Sequence, residues 1–136
     1  MPRWTKEQEE AINKEGMNII VSAGAGSGKT AVLTERVITK IKKGIPVDHL
    51  LILTFTKAAA SEMKERIRAS IKEMNNEEEL NKLDSAYITT FDSFSLSIVK
   101  KYHYLLNVSK NINIGNDNVF KLKKEQVLDE IFEELY

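Results

Sequence analysis

The chain has no cysteine, so neither a disulfide nor a thiolate metal site enters its chemistry. Its two histidines, His49 and His103, have no Cys, Asp or second His at ligand spacing, which leaves a metal centre or a catalytic triad unsupported. No apolar run approaches the ~18 residues of a membrane span, and Met1 to Thr5 show no signal-peptide pattern, so a cytoplasmic protein without membrane contact is expected. Net charge is also lacking, with 20 basic against 20 acidic residues. The balance is uneven along the chain: residues 1–72 carry 13 Lys+Arg and 8 Asp+Glu, against 7 and 12 in residues 73–136. A basic half could face a polyanion, but a difference this small is more often a solvated surface and does not by itself imply nucleic acid. Hydrophobic residues at 42% exclude a disordered chain, and 136 residues suffice for about one domain.

Glycine is scarce, yet three of the six glycines stand in Ala23-Gly24-Ala25-Gly26-Ser27-Gly28-Lys29-Thr30. This stretch follows the apolar run Ile19-Ile20-Val21 and opens a segment of helical periodicity. The context is that of a phosphate-binding loop, whose curled backbone turns successive N–H groups towards a phosphate beside a helix N-terminus. Lys29 would reach the β- and γ-phosphates and Thr30 would offer its hydroxyl to Mg²⁺. Ala23 stands where the strict pattern has Gly.

The rest of the chain alternates helix and strand signals. Thr5 and Gln8 have capping-box spacing ahead of a helix that ends at Asn13 to Gly16. Strands are expected at Asn18–Ser22, Leu50–Thr54 and Ala86–Thr90. After the loop, a helix burying Leu33, Val37 and Ile41 is stopped by Gly44 and Pro46. A second helix, about Lys57–Met74, has Ala60, Met63, Ile67 and Ile71 on one face and Glu62/Arg66 as an i, i+4 pair on another. Asn75 to Glu79 reads as a surface connection, open to being helical in part. Further helices place Phe91, Phe94, Ile98, Tyr102 and Leu105 on one face, and bury Leu128, Ile131, Phe132 and Leu135 near the C-terminal end. The pattern predicts an α/β fold, a P-loop parallel sheet flanked by helices.

Other residues admit two roles each. The Gln8 carboxamide can donate to adenine N7 and accept from N6, or it can serve only the capping box. Thr54-Phe55-Thr56-Lys57 and Thr90-Phe91-Asp92-Ser93 sit at successive strand ends, where hydroxyls, helix N-termini and aromatic faces suit a single-stranded nucleic acid. Simple helix capping, with Phe55 in the core, is the alternative. Asp129-Glu130 is not a Walker B pair, because Lys123 to Gln126 precede it in place of an apolar strand.

Trp4-Thr5-x-x-Gln8, Ala23 to Thr30, Thr54-Phe55-Thr56 with Ala58 to Met63, and Thr90-Phe91-Asp92-Ser93-Phe94 together resemble the superfamily 1 helicases of the UvrD type. The likeness is to their Q motif and motifs I, Ia and Ib, and Ala23 is itself usual there. The Trp-Thr opening, Ala58 and the tail Lys124 to Glu130 resemble most the AddA components of bacterial AddAB helicase/nucleases. Two positions depart from the family: Lys57 replaces an Asn, and Asp92 stands where a His usually meets the DNA strand.

The resemblance implies an N-terminal fragment, with residues 1–106 the start of RecA-like domain 1A and 107–136 the connection and first helix of subdomain 1B. It implies ATP and Mg²⁺ as cofactors, Lys29 and Thr30 as catalytic groups, and Gln8 with Ala23, Gly24, Ala25, Gly26, Ser27, Gly28, Lys29 and Thr30 as the ATP-binding set. Thr54, Phe55, Thr56, Lys57, Thr90, Phe91 and Ser93 would meet DNA. For the parent it implies a 3′→5′ ATP-dependent DNA helicase/nuclease acting on single- and double-stranded DNA ends with an AddB-type partner in double-strand break repair. The Walker B acids and arginine finger would lie beyond Tyr136, so these residues alone are expected to turn ATP over negligibly. A small self-contained P-loop kinase and a non-catalytic nucleotide-binding module remain open. The kinase would normally bring several Arg to the transferred phosphoryl group, and this chain has four, Arg3, Arg36, Arg66 and Arg68.

Overall fold

A computed structural model describes residues 4–135, so Arg3 lies outside the described residues. They divide into two compact units, Met1–Phe94 and Ser95–Tyr136. The first unit opens with α1 (Lys6–Asn13), where the Thr5 side chain accepts from the Gln8 N–H and the Gln8 side chain accepts from the Thr5 N–H, completing the capping box. There follow α2 (Lys29–Lys42), a 3₁₀ turn (Val47–His49), β1 (Leu51–Thr54), α3 (Lys57–Glu73), α4 (Glu77–Lys82), β2 (Tyr87–Thr90) and the start of α5 (Phe91–Lys101).

β1 and β2 pair in parallel, with Ile52 opposite Ile88 and Thr54 opposite Thr90. Side chains alternate across a strand, and Ile52 and Ile88 are buried while Leu51 and Tyr87 are largely exposed. One face of the ribbon therefore packs on the core. That core joins the two isoleucines to Met63, Ile67 and Ile71 of α3, Val37, Ile38 and Ile41 of α2, and Val47 and Leu83. Ile67, Ile71, Leu83 and Val47 are fully buried, each contributing about 1.5–3 kcal/mol relative to exposure. The helical repeat aligns Met63, Ile67 and Ile71 at i, i+4, i+8 along α3, and they share its buried face with Ala60.

Several expectations are corrected. The α/β class stands, but the sheet has two strands among the described residues, not three: Asn18–Ser22 carries no regular structure and Ile20 and Val21 are exposed. A strand exists only through ladder bonds to a neighbour, and β1 and β2 use each other. Leu33 is exposed, while Ile38 takes its place in the core. Asn75 to Glu79 is helical in part, Glu77 to Glu79 opening α4, but it is not all surface: Glu79 is buried, accepting from the Val47 N–H at 2.7 Å and from Lys82 Nζ at 3.0 Å.

In the second unit, α5 ends at Lys101, turns follow, and α6 spans Asp117–Leu135. The Val108 carbonyl faces His103 Nδ1 at 3.2 Å, and Lys100 Nζ donates to Asn113 Oδ1 at 3.0 Å. Leu128, Ile131, Phe132 and Leu135 are exposed, as are Ile98, Tyr102 and Leu105. The α6 residues keep helical spacing, but no second layer of the unit covers them, so their expected burial does not occur; Tyr102 and Leu105 lie in the turns after Lys101, so the expected face of α5 stops at Ile98.

Candidate functional site

The loop before α2 bends twice through left-handed backbone, at Gly26 with φ +75° and Gly28 with φ +79°. L-residues with a Cβ avoid this region, so glycine sets the curl. Ser27 closes it, with Oγ donating to the Gly24 carbonyl at 2.8 Å. Gly28 is the N-cap of α2 and has no side chain to cap with. The N–H groups of Lys29, Thr30 and Ala31 in the first turn have no partner within the helix. Such unpaired donors, with the positive end of the helix dipole, favour an anion.

Lys29 folds its amine back over this loop, donating to the Ala23 carbonyl at 2.8 Å and the Gly24 carbonyl at 2.6 Å. The cation is therefore held within the loop, beside the donors an anion would use. Thr30 is exposed at the helix start, and its hydroxyl has no protein partner among the described residues.

Gln8 completes the capping box and also reaches the loop. Its Oε1 accepts from the Thr5 N–H at 2.9 Å, and its Nε2 donates to the Ser27 carbonyl at 3.2 Å. A carboxamide has two lone pairs and two N–H bonds, so one of each remains. That remaining acceptor and donor are the complement of adenine N6 and N7. A cavity of about 590 Å³ is lined by Gln8, Ala23, Ser27 and Lys29, with Val21, Val32 and Leu33 as apolar wall and Glu7 and Arg36 also on it. The volume lies within the range of small-ligand pockets. Backbone hydrogen bonding in the first turn of α1, and then the Thr5 hydroxyl, hold the Glu7 carboxyl below the ordinary carboxylate range.

The second set of residues gathers at the sheet's C-terminal edge, because Thr54 and Thr90 are register partners. Thr54 Oγ1 donates to the Thr56 carbonyl at 2.9 Å, and Thr56 Oγ1 caps α3 by accepting from the Ala59 N–H at 3.1 Å. Thr90 is buried, with Oγ1 accepting from the Ser93 N–H at 3.2 Å and donating to Ser93 Oγ at 2.9 Å. The Thr56 and Thr90 hydroxyls thus cap α3 and α5, while that of Thr54 ties to the Thr56 carbonyl. The aromatic rings do not follow them inward: Phe55 is fully exposed and Phe91 is 66% exposed, so the alternative of a core Phe55 fails. Lys57 and Asp92 are exposed in the first turns of α3 and α5.

Sequence reasoning gave Arg36 no place in the site. Its Nη1 donates to the Ala11 and Ile12 carbonyls at 2.6 and 3.1 Å, and Nη2 donates to the Lys14 carbonyl at 2.9 Å. Main-chain carbonyls leave no mark in side-chain patterns, so nothing in the sequence signals this contact.

Comparison with known proteins gives a consistent result. The profile of the UvrD/REP helicase N-terminal domain matches residues 4–136. The A subunit of an ATP-dependent helicase/nuclease from Pediococcus pentosaceus is 48% identical over 144 aligned positions, covering 98% of this chain and 12% of that protein. Proteins of the same name from Heliobacterium modesticaldum and Clostridium novyi are each 45% identical, covering 99% and 98% of this chain. The chain spans about a tenth of the length of these curated relatives, 10% and 12% for the last two. With a match over nearly all of its residues, the chain belongs to the UvrD/REP helicase N-terminal domain family.

Proposed function

We propose that this chain binds ATP with Mg²⁺ as the N-terminal part of a cytoplasmic ATP-dependent 3′→5′ DNA helicase/nuclease subunit, paired with an AddB-type subunit in recombinational repair of double-strand breaks. Its fold is then the start of a P-loop, RecA-like domain 1A over residues 1–106, with residues 107–136 opening subdomain 1B. The observation that carries the reading is the Lys29 amine held at 2.8 and 2.6 Å from the Ala23 and Gly24 carbonyls, beside the uncapped first turn of α2. An arriving phosphate offers that amine a stronger, charged acceptor than two carbonyls. The names of the relatives support helicase over kinase chemistry.

In this reading residues 23–30 cradle the phosphates, Lys29 neutralises charge on the β- and γ-oxygens, and Thr30 supplies its hydroxyl to the nucleotide's Mg²⁺. When bound, Mg²⁺ would supply positive charge against the negative charge that develops on the transferred phosphoryl group, with Thr30 as the residue holding it. Gln8 reads the adenine edge. Phe55, Thr56, Lys57 and Phe91 face single-stranded DNA at the sheet edge, where first-turn N–H groups address phosphate and the exposed rings of Phe55 and Phe91 stack on bases, while Thr54, the buried Thr90 and Ser93 hold the strand ends behind them. Asp92 opposes phosphate there, and Lys57 offsets part of that repulsion.

The test is titration of the chain with fluorescent ATP·Mg. Binding that Lys29→Ala abolishes is expected. Equal affinity in the wild type and the variant would reject the site.

A further inference from the structure

We infer that Arg36 is a positioning residue for nucleotide recognition, holding α1 against α2 so that the Gln8 carboxamide stays at the phosphate loop. The inference rests on the reading of the cavity as an ATP site.

α1 spans eight residues, Lys6–Asn13, well short of the ~12–15 that an isolated helix needs for even marginal stability. Its placement therefore depends on tertiary anchors. At its N-terminal end, the Gln8 Nε2 donates to Ser27 of the loop. On its flank, Ile12 is its one buried residue. At its C-terminal end, the last carbonyls lack intrahelical donors, and α1 has no basic residue in its own last turn. Arg36 supplies what is missing by donating to the carbonyls of Ala11, Ile12 and Lys14. A cation at this end also suits the negative pole of the helix.

The geometry gives the contact a consequence for the site. Arg36 lies on the same helix as Lys29, about two turns further on. One rigid element thus carries both the phosphate-binding amine and the clamp on the helix that bears Gln8. Thr5, Gln8, Lys29 and Arg36 all line the one cavity. The distance between the base-reading carboxamide and the phosphate loop is then set at two points, Ser27 and Arg36. The planar fork of a guanidinium can serve three carbonyls at once, while a lysine amine is a single point donor on a flexible stem. Arg36→Lys keeps the charge and breaks the clamp.

The experiment measures affinity of the full chain for ATP·Mg, GTP·Mg and inorganic tripolyphosphate in wild type, Lys29→Ala, Gln8→Ala, Arg36→Lys and the Gln8→Ala/Arg36→Lys double variant. Amide hydrogen exchange is followed in parallel over α1. Lys29→Ala is expected to lose all three ligands. Gln8→Ala and Arg36→Lys are each expected to lower the ATP-over-GTP preference by about tenfold, the scale of one hydrogen bond to a charged or well-oriented partner, with tripolyphosphate affinity unchanged. The double variant should fall no further than Gln8→Ala, since the two residues act as one unit. Exchange in α1 should accelerate in Arg36→Lys while exchange in α3 does not. An Arg36→Lys variant that keeps the nucleotide preference, or a double variant whose losses multiply, overturns the positioning role while the ATP site stands. A wild type whose ATP affinity equals that of Lys29→Ala overturns the ATP site and this inference together.

Discussion

The three loop glycines provide a series in which one substitution should be silent and two should not. Gly26 and Gly28 have φ of +75° and +79°, whereas Gly24 is not in the left-handed region. A Cβ built on Gly24 or Gly26 meets nothing within 4 Å, and one on Gly28 meets only Gln8 Nε2 at an ordinary 3.6 Å. Steric clash is therefore negligible in all three, and the backbone decides. An L-residue in the left-handed region costs about 1–2 kcal/mol. The loop is exposed and adds nothing to the core, so an alanine there relaxes to negative φ at little cost in stability, and a ligand must draw it back. Gly26→Ala and Gly28→Ala should each weaken ATP·Mg by about 5- to 30-fold, the equivalent of that energy. Gly24→Ala should stay within about threefold, because Gly→Ala at a compatible φ costs little or stabilises. Fluorescent-nucleotide titration reads the affinities, and urea denaturation should show midpoints close to wild type for all three. A Gly24→Ala loss as large as that of Gly28→Ala would refute the reasoning, since it would place the requirement in space rather than in backbone conformation.

Replacing Glu79 with Ala strands the buried Val47 N–H and should lower stability by about 1–3 kcal/mol in urea unfolding, whereas Glu79→Gln keeps an acceptor and should lose less; equal losses would count against the hydrogen bond as the cause. Thr56→Ala removes the cap on the Ala59 N–H and should lower stability by about 1 kcal/mol, measured the same way. Phe55→Ala should leave stability within about 0.5 kcal/mol, since the ring touches no core, yet weaken single-stranded DNA binding by about 1–3 kcal/mol in a low-salt titration of the full-length protein. Asp92→His should strengthen that binding, and added salt should weaken it in both proteins; a fall in affinity on Asp92→His returns the strand-end residues to capping alone.

What was legible in the sequence is local. The buried face of α3 follows from the spacing of Ala60, Met63, Ile67 and Ile71, and the Thr5–Gln8 box from a three-residue interval, because both are fixed by helix geometry. The curl at Gly26 and Gly28 and the helix that opens at Lys29 were legible in the glycine spacing ahead of a segment of helical periodicity. Failures arise where an outcome depends on a distant neighbour. Ile19-Ile20-Val21 has strand composition but no pairing partner among the described residues, and α6 has apolar periodicity with nothing of its unit laid over it. Glu79, one of three consecutive acids, is distinguished only by a main-chain N–H 32 residues away. Gln8 shows both sides: its cap follows from the three-residue interval, whereas its bond to the Ser27 carbonyl, 19 residues away, leaves no mark in the sequence.

The central claim is that Lys29 and the first turn of α2 receive the nucleotide's phosphates. A crystal structure of the chain with ADP·Mg tests it directly. The account predicts that Lys29 Nζ leaves the Ala23 and Gly24 carbonyls for a β-phosphate oxygen, which also accepts from N–H groups of the loop and of the first turn of α2, while the adenine lies against Gln8. Nucleotide bound elsewhere, or Lys29 still on its two carbonyls beneath a bound phosphate, would contradict it.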